Sequence, residues 1–464
     1  MTGAGMAGGS RGRVPSPGPI RPYRFPDVAR IRLEGGLEVR LVHTPSVPVA
    51  TAMLVMRFGE SALSPDQAGL AVLAADSLEG GTELRSAGEL AHALDGIGAS
   101  WGAATGWDST TVAVSCLPDH LGEAMPLLAE MVRRPSFDEE EFARRRARQQ
   151  AAASQRLMDP ASMAVDRFAH TLYGEDGLYG RPLTGTPEAI GALTAEAAAR
   201  LVGRFYGPAD AALVLVGDLE WSEAVALAES AWGGWEREAV PVPDAAPPLR
   251  AGERSVHVVH RPGSVQSEIR VGHVGVRRAV EDYLPLIVFN LVLGGSFSSR
   301  LNLNLREKRG LTYGVRSSFA ARRAAGPFSV STAVETASTE SAVVEIVREI
   351  EAMASDGPTV AEVETATSYL AGVFPLRLQS AGQIASRVAG SFIHDLPEGY
   401  NRTYRDRVRE VTREEAARAA RRHLHPDGLC TVVVGDAEAV RSQLEGLGMG
   451  EVAVHEAAGP AVRG

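Results

Sequence analysis

The chain is predicted to fold as two successive α+β domains of one kind, and three observations carry that prediction. Short motifs recur in order. Val42-His43-Thr44-Pro45 returns as Val259-His260-Arg261-Pro262, Gly80-Gly81 as Gly294-Gly295, and Val216-Gly217-Asp218 as Val434-Gly435-Asp436, each 214 to 218 residues downstream. Within a period, short apolar runs of strand character are interspersed with stretches of helical periodicity. Between Glu236 and Glu253 the composition turns to Pro, Ala and Val (Val240-Pro-Val-Pro-Asp-Ala-Ala-Pro-Pro248), as in a semi-stiff linker. A length of 464 residues also exceeds what one hydrophobic core usually organises. The chain therefore divides into a tail (1–26), an N-terminal domain (27–235), a linker (236–253), a C-terminal domain (254–450) and a second tail (451–464).

In the first domain Ala29–Leu33, Gly36–Val42 and Val49–Met56 read as strands, with Gly35-Gly36 as a hairpin turn. Ala68–Glu79 reads as a helix that opens after Ser64-Pro65-Asp66, runs about three turns and stops at Gly80-Gly81. Ser86 caps a short helix through Leu94, Gly98–Thr105 and Ser109–Cys116 form a strand pair, and Pro118 starts another helix. A long charged helix spans Asp138 to Leu157 and ends ahead of Asp159-Pro160. Its Glu139–Glu141 and Arg144–Arg148 clusters read as a solvated face with pairing between turns. Helices over 161–172 and 194–206, a strand Ala211–Gly217 and a helix from Trp221 complete the domain.

A net charge of −10 and a pI near 5.7 argue against nucleic acid as the main partner. No apolar run approaches the roughly 18 residues that a membrane span needs. Cys116 and Cys430 sit far apart in apolar, strand-like runs, which is the setting of buried free thiols. The first 26 residues are rich in Gly, Pro, Ser and Arg and carry no acid. Gly and Pro prevent the amphipathic helix of a transit peptide, so a disordered tail on a cytoplasmic chain is expected.

The helix 68–79 has the frame of an inverted zincin helix, in which His-x-x-Glu-His sets two imidazoles and a general base on one face. The positions are occupied here by Val72, Ala75 and Asp76. Neither His120-x-x-Glu123 nor His423-Leu-His425 replaces that ligand set, because catalytic zinc wants three protein ligands. Gly294-Gly-Ser-Phe297 is not followed by the Gly-Lys-Ser/Thr of a phosphate loop. Trp101 and Trp107 lie where a peptide groove could form, although packing on a sheet face is the default for such residues.

Over nearly its full length the chain resembles the M16 zinc peptidases (the insulinase, or mitochondrial-processing-peptidase-like, family). The match rests on Ala68-Gly-Leu-Ala71, Glu79-Gly-Gly-Thr82, Tyr179-Gly-Arg-Pro-Leu-Thr-Gly-Thr-Pro187, Leu293-Gly-Gly-Ser-Phe-Ser-Ser-Arg-Leu301 and Leu305-Arg-Glu-Lys-Arg-Gly-Leu-Thr-Tyr313. The resemblance implies two α/β-sandwich domains making half of a clamshell. It makes Val72 and Asp76 the positions of the two zinc histidines, Ala75 that of the base, and Ala151-Ala152 that of the third ligand. It also implies a substrate-positioning Arg and Tyr, here Arg306 and Tyr313, and an edge strand that pairs with substrate, here around Gly98, Ala99, Ser100, Trp101 and Gly102, where an Asn usual in the family is missing. From the spacing alone, the favoured reading is Arg306 as a solvated helix residue and Tyr313 as a half-buried strand residue, and the surrounding motif reverses that preference. The expectation is a chain without cofactor that pairs with a separate zinc-bearing M16 subunit in hydrolysing peptides. The other reading is an inert M16-fold structural or peptide-binding protein.

Overall fold

The structure is a computed structural model that describes residue 18 and residues 21–457, apart from 46, 175, 176, 178, 238, 239 and 241–252. Most of the expected linker lies outside the described residues. The first half holds strands β1 (Ala29–Arg32), β2 (Glu38–His43), β3 (Ala50–Met56), β4 (Ser100–Thr105), β5 (Thr110–Cys116) and β6 (Ala211–Gly217). They form one sheet in the order β1-β2-β6-β3-β5-β4. The second half holds β7 (Ser255–His260), β8 (Gln266–Val274), β9 (Val315–Phe319), β10 (Pro327–Glu335), β11 (Cys430–Gly435) and β12 (Val452–Glu456). Their order, β12-β7-β11-β8-β10-β9, repeats the first. The repeat is broken only at the outer strand. β1 enters from the N-terminal side antiparallel to β2, whereas β12 returns from the C-terminal end parallel to β7.

The helices beneath each sheet come from its own half. Leu121–Arg133 packs on β5, and Thr339–Ser355 packs on β8 and β10. The helices above are exchanged. Pro160–Tyr173, from the first half, lies on β11 and β8 of the second sheet, where Met163 and Ala164 meet Val259 and Val434 and Phe168 meets Val432. In return Ala381–Ile393, from the second half, lies on β3 and β6. There Ile384, Val388 and Phe392 share a core with Met53, Val55, Val214 and Val216. The intervening residues Leu54, Leu213 and Leu215 belong to the core below. Side chains alternate across a strand, so strands buried on both faces must be apolar throughout, and β3 and β6 are. Small residues on the covering helix (Ala381, Ala385, Ala389) let it approach the sheet closely.

A polar cluster closes the same interface. Asp108, in the turn between β4 and β5, accepts from the Tyr179 hydroxyl at 3.0 Å and from the Arg323 amide at 2.9 Å. The Arg322 guanidinium stacks over Tyr179 and Trp107, and the Tyr173 hydroxyl donates to the Ala325 carbonyl at 3.0 Å. Trp107 therefore serves the junction between halves rather than a peptide groove.

The segment 21–26, assigned to the tail by sequence, is packed instead. Phe25 is buried, Tyr23 and Phe25 stand against Phe374 of the second half, and Arg405 donates to the Arg21 carbonyl at 2.8 Å. Likewise 452–456, assigned to the C-terminal tail, is strand β12. Both departures have one cause, since the outer positions of the two sheets and the groove beside Phe374 need covering and the terminal segments cover them. Cys116 and Cys430 are buried free thiols, as expected, and burial pushes them up to about 11 and about 12. Among the described residues no helix is long and apolar enough to cross a membrane.

If the exchanged helices hold the halves together, Phe392→Ala should lower the stability of the whole chain by about 3 kcal/mol. Urea unfolding is expected to shift as one transition. A two-step curve in which only one step moves would show the halves to be independent.

Candidate functional site

The helix with the zincin frame is shorter than its sequence suggests. It runs from Leu70 to Asp76 and tightens into a 3₁₀ turn over Ser77–Gly80. Ser64 makes no capping bond; the helix begins at Gly69, held at φ +87°. A Cβ at Gly69 would strike the Thr184 carbonyl, and one at Gly185 (φ +81°) would strike the Ala68 carbonyl. The two glycines thus let the 68–71 and 179–187 motifs pass backbone against backbone. Gln149 of the long helix Glu139–Arg156 bridges them, donating to the carbonyls of Gly69 at 3.0 Å and Thr184 at 2.9 Å.

The start of the helix is held by Glu60, a residue that sequence reading did not single out. Its side chain is fully buried and accepts from the amides of Gly69 and Ala71, so it caps the helix from a distance. Arg181, from the third motif, fixes the Glu60 backbone by donating to the carbonyls of Glu60 at 3.0 Å and Leu63 at 2.7 Å. Burial pushes the Glu60 carboxyl up to about 7, against the pull of Arg181 and those amides. The one sequence signal was an acid among apolar residues in Phe58-Gly-Glu-Ser61.

On the face where ligands would stand, the structure places an ion-pair cluster. Asp76 accepts from Arg148 at 2.7 Å, and Arg145 reaches the Asp76 carbonyl at 2.9 Å and the Glu79 carboxylate. The Arg145 side chain is only 7% exposed, so the arginines read as a solvated face are in part an internal brace, and Asp76 is bound rather than free. Val72 is half-buried, Ala75 is buried, and Ala151 and Ala152 are exposed methyl groups. These residues do not fit a zinc ion. The single carboxylate is already neutralised by two guanidiniums, whose charge repels a dication, and the other positions offer hydrocarbon. Among the described residues no group of three or more His, Cys, Asp or Glu is arranged to hold a metal.

Beside this helix, β4 ends the first sheet and pairs only with β5 among the described residues, which leaves its outer edge open. The Thr105 hydroxyl ties it to the Ala71 carbonyl at 3.3 Å. Of the five residues expected along this edge, Ser100, Trp101 and Gly102 lie on it. Gly98 and Ala99 do not, because their amides close the end of the preceding helix on Asp95 and Leu94. Trp101 packs against the core of the first half.

Arg306 and Tyr313 lie in a strongly pinned stretch of the second half. Asn302 donates to the carbonyls of Ser296 at 3.1 Å and Val315 at 2.8 Å, and Arg300 binds Glu362 with both ends of its fork. Arg309 binds Glu345 at 2.6 Å, and the Thr312 hydroxyl meets that of Thr332 at 2.9 Å. Gly310, at φ +64°, turns the chain out of its helical turn toward β9. Among these inward-bonded neighbours Tyr313 is 97% exposed. The Arg306 guanidinium rests over the exposed Phe297 ring at 4.2 Å. No hydrogen bond, ion pair or ring contact joins 72–76 to 306–313 among the described residues.

Fold and site together define a two-repeat α+β scaffold in which the face of the 70–76 helix carries an ion-pair cluster. The sequence profile of the insulinase family (peptidase family M16) matches residues 38–186, and that of the peptidase M16 inactive domain matches 192–370. The chain is 30% identical over 372 residues to an uncharacterized zinc protease of Streptomyces coelicolor, covering 78% of this chain and 80% of that protein. It is 28% identical over 374 residues to one of Mycobacterium leprae, covering 79% and 83%. The crystal structure of a peptidase M16 inactive domain from Pseudomonas fluorescens superposes with a TM-score of 0.82 at 26% identity, over 88% of this chain and 98% of that one. A protease structure from Helicobacter pylori superposes with a TM-score of 0.82 at 20% identity, over 89% and 100%. The chain belongs to the M16 peptidase family.

The Glu60 cap has a measurable signature. A carboxyl raised in the folded chain stabilises it fully below about 4.5, and that contribution is lost as pH climbs through about 7. Glu60→Gln removes the titration. Between pH 4.5 and 7.5 the stability difference between wild type and variant, from guanidinium unfolding, should move against the wild type by about 3 kcal/mol. A constant difference would mean that the buried carboxyl titrates as it does in the unfolded chain.

Proposed function

We propose that this chain is the metal-free member of a two-chain M16 peptidase, in which a separate M16 subunit carries zinc and this one positions the peptide. The observation that carries the reading is Tyr313, an almost wholly exposed phenol on a stretch whose flanking polar side chains are bonded inward. A large aromatic held out from a stiff segment, with no side-chain partner among the described residues, suits a surface that another molecule completes. A guanidinium at Arg306 holds a peptide carbonyl or carboxylate in fixed geometry, and the Tyr313 hydroxyl donates to the oxygen on which charge develops. The partner's zinc would activate the attacking water. The open edge of β4 offers backbone hydrogen bonds to an extended peptide through Ser100, Trp101 and Gly102. The first half supports the same division of labour, since Val72, Ala75 and Asp76 do not make a zinc ligand set.

The test is reconstitution with an M16 subunit from the same source that carries an intact His-x-x-Glu-His. The pair should cleave unfolded peptides while this chain alone does not. Arg306→Ala and Tyr313→Phe should each lower kcat/KM of the pair at least about tenfold, without loss of pairing. Full activity in both variants would remove the shared site and leave an inert scaffold of M16 fold.

A further inference from the structure

The exchanged helix Ala381–Ile393 does not cover the whole outer face of the first sheet. Beside it a cleft of about 660 Å³ opens between Thr51, Met53, Ala113 and Ser115 on β3 and β5 and residues 370–404 of the second half. The floor and far wall are apolar: Met53, Ala113, Leu370, Val373, Phe374 and Leu378. Hydroxyls of Thr51 and Ser115, paired at 2.8 Å, stand on the sheet side, and Gln383 and Ser386 stand on the helix side.

Arg387 lies at one end of this cleft with an incomplete set of partners. Its Nε donates to the Asn401 side-chain oxygen at 2.9 Å, and its guanidinium lies beside the mutually stacked rings of Phe374 and Tyr404, 5.2 and 4.8 Å from their centres. Its Nη2 is buried with no hydrogen-bond partner. No carboxylate pairs with Arg387 among the described residues, and the neighbouring buried Arg278 adds a like charge. Arg377, exposed at the cleft's edge, also lacks an ion-pair partner among the described residues. A sequestered guanidinium without a counter-charge is costly, and a carboxylate brought beside it offsets that cost.

We propose that this cleft binds the free carboxylate end of a short peptide with an apolar last residue, Arg387 taking the carboxylate and the Met53–Phe374 floor the side chain. Thr51, Ser115, Gln383 and Ser386 provide the polar contacts that a peptide backbone uses and a hydrocarbon chain does not. The site shares no residue with Arg306 or Tyr313, its Ala113 and Ser115 pair across the strands with Gly102 and Ser100 of β4, and it stands whether or not the chain completes a peptidase.

The probe is N-acetyl-Ala-Ala-Leu with a free carboxylate, titrated calorimetrically into the full chain beside its C-terminal amide and decanoate. The acid should bind at least about tenfold more tightly than the amide. Arg387→Gln should reduce the acid's affinity about tenfold or more. Ser386→Trp, at an exposed position that crowds the cleft without touching the core, should do the same with an unchanged melting temperature. Equal binding of acid and amide, tighter binding of decanoate, no binding of the acid at millimolar concentration, or full affinity in Ser386→Trp would each overturn the assignment.

Discussion

Each half of this protein supplies the cover for the other half's sheet, and the rest of the structure depends on that exchange. A six-stranded sheet with helices on one side leaves an apolar face that must be buried. The helices Pro160–Tyr173 and Ala381–Ile393 cover much of both such faces across the junction, so each repeat packs on an element of the other. The Asp108–Tyr179–Arg322 cluster then fixes the angle of the loop that carries Trp107. That loop in turn accepts the Glu60 and Ser61 amides. The position of the former metal helix is thereby referred to the second half of the molecule through a short series of hydrogen bonds.

The first-half motifs that match the family build the support for that helix, and the positions of the expected ligands hold Val72, Ala75 and Asp76. Gly69, Gly185 and Arg181 hold backbones together, and Glu60 caps. Those tasks do not depend on a metal, so they persist with the fold. Asp76 and Glu79 are paired with Arg145 and Arg148 on the ligand face. The second half differs in kind, because its polar side chains fasten the 290–317 stretch inward and leave Tyr313 outside.

The six strands of the first half and the repeat itself were legible in the sequence, because apolar patterning and turn residues are local signals. The continuous apolar runs of β3 and β6 also announced burial on both faces, but nothing local tells which helix provides the second cover. That information is in the pairing of Ile384, Val388 and Phe392 with residues more than 150 positions away. The tail boundaries were misread for a related reason, since Phe25 and Val452 are unremarkable until the groove and sheet position they fill exist. At the site, the positions of Val72, Ala75 and Asp76 followed from motif spacing. The roles of Glu60 and Arg145 did not, because a buried charge looks in sequence like any surface charge, and only its partners distinguish it.

The exchange of covering helices also sets an order of events during synthesis. The first sheet has all its strands once Gly217 has emerged, yet its upper face waits for a helix that is finished only at Ile393, about 175 residues later. For that interval a half-made molecule carries an uncovered apolar surface formed by Met53, Val55, Val214 and Val216. The chain is thus most exposed to misassociation while its second half is still being translated, and a pause after the first repeat would lengthen that exposure.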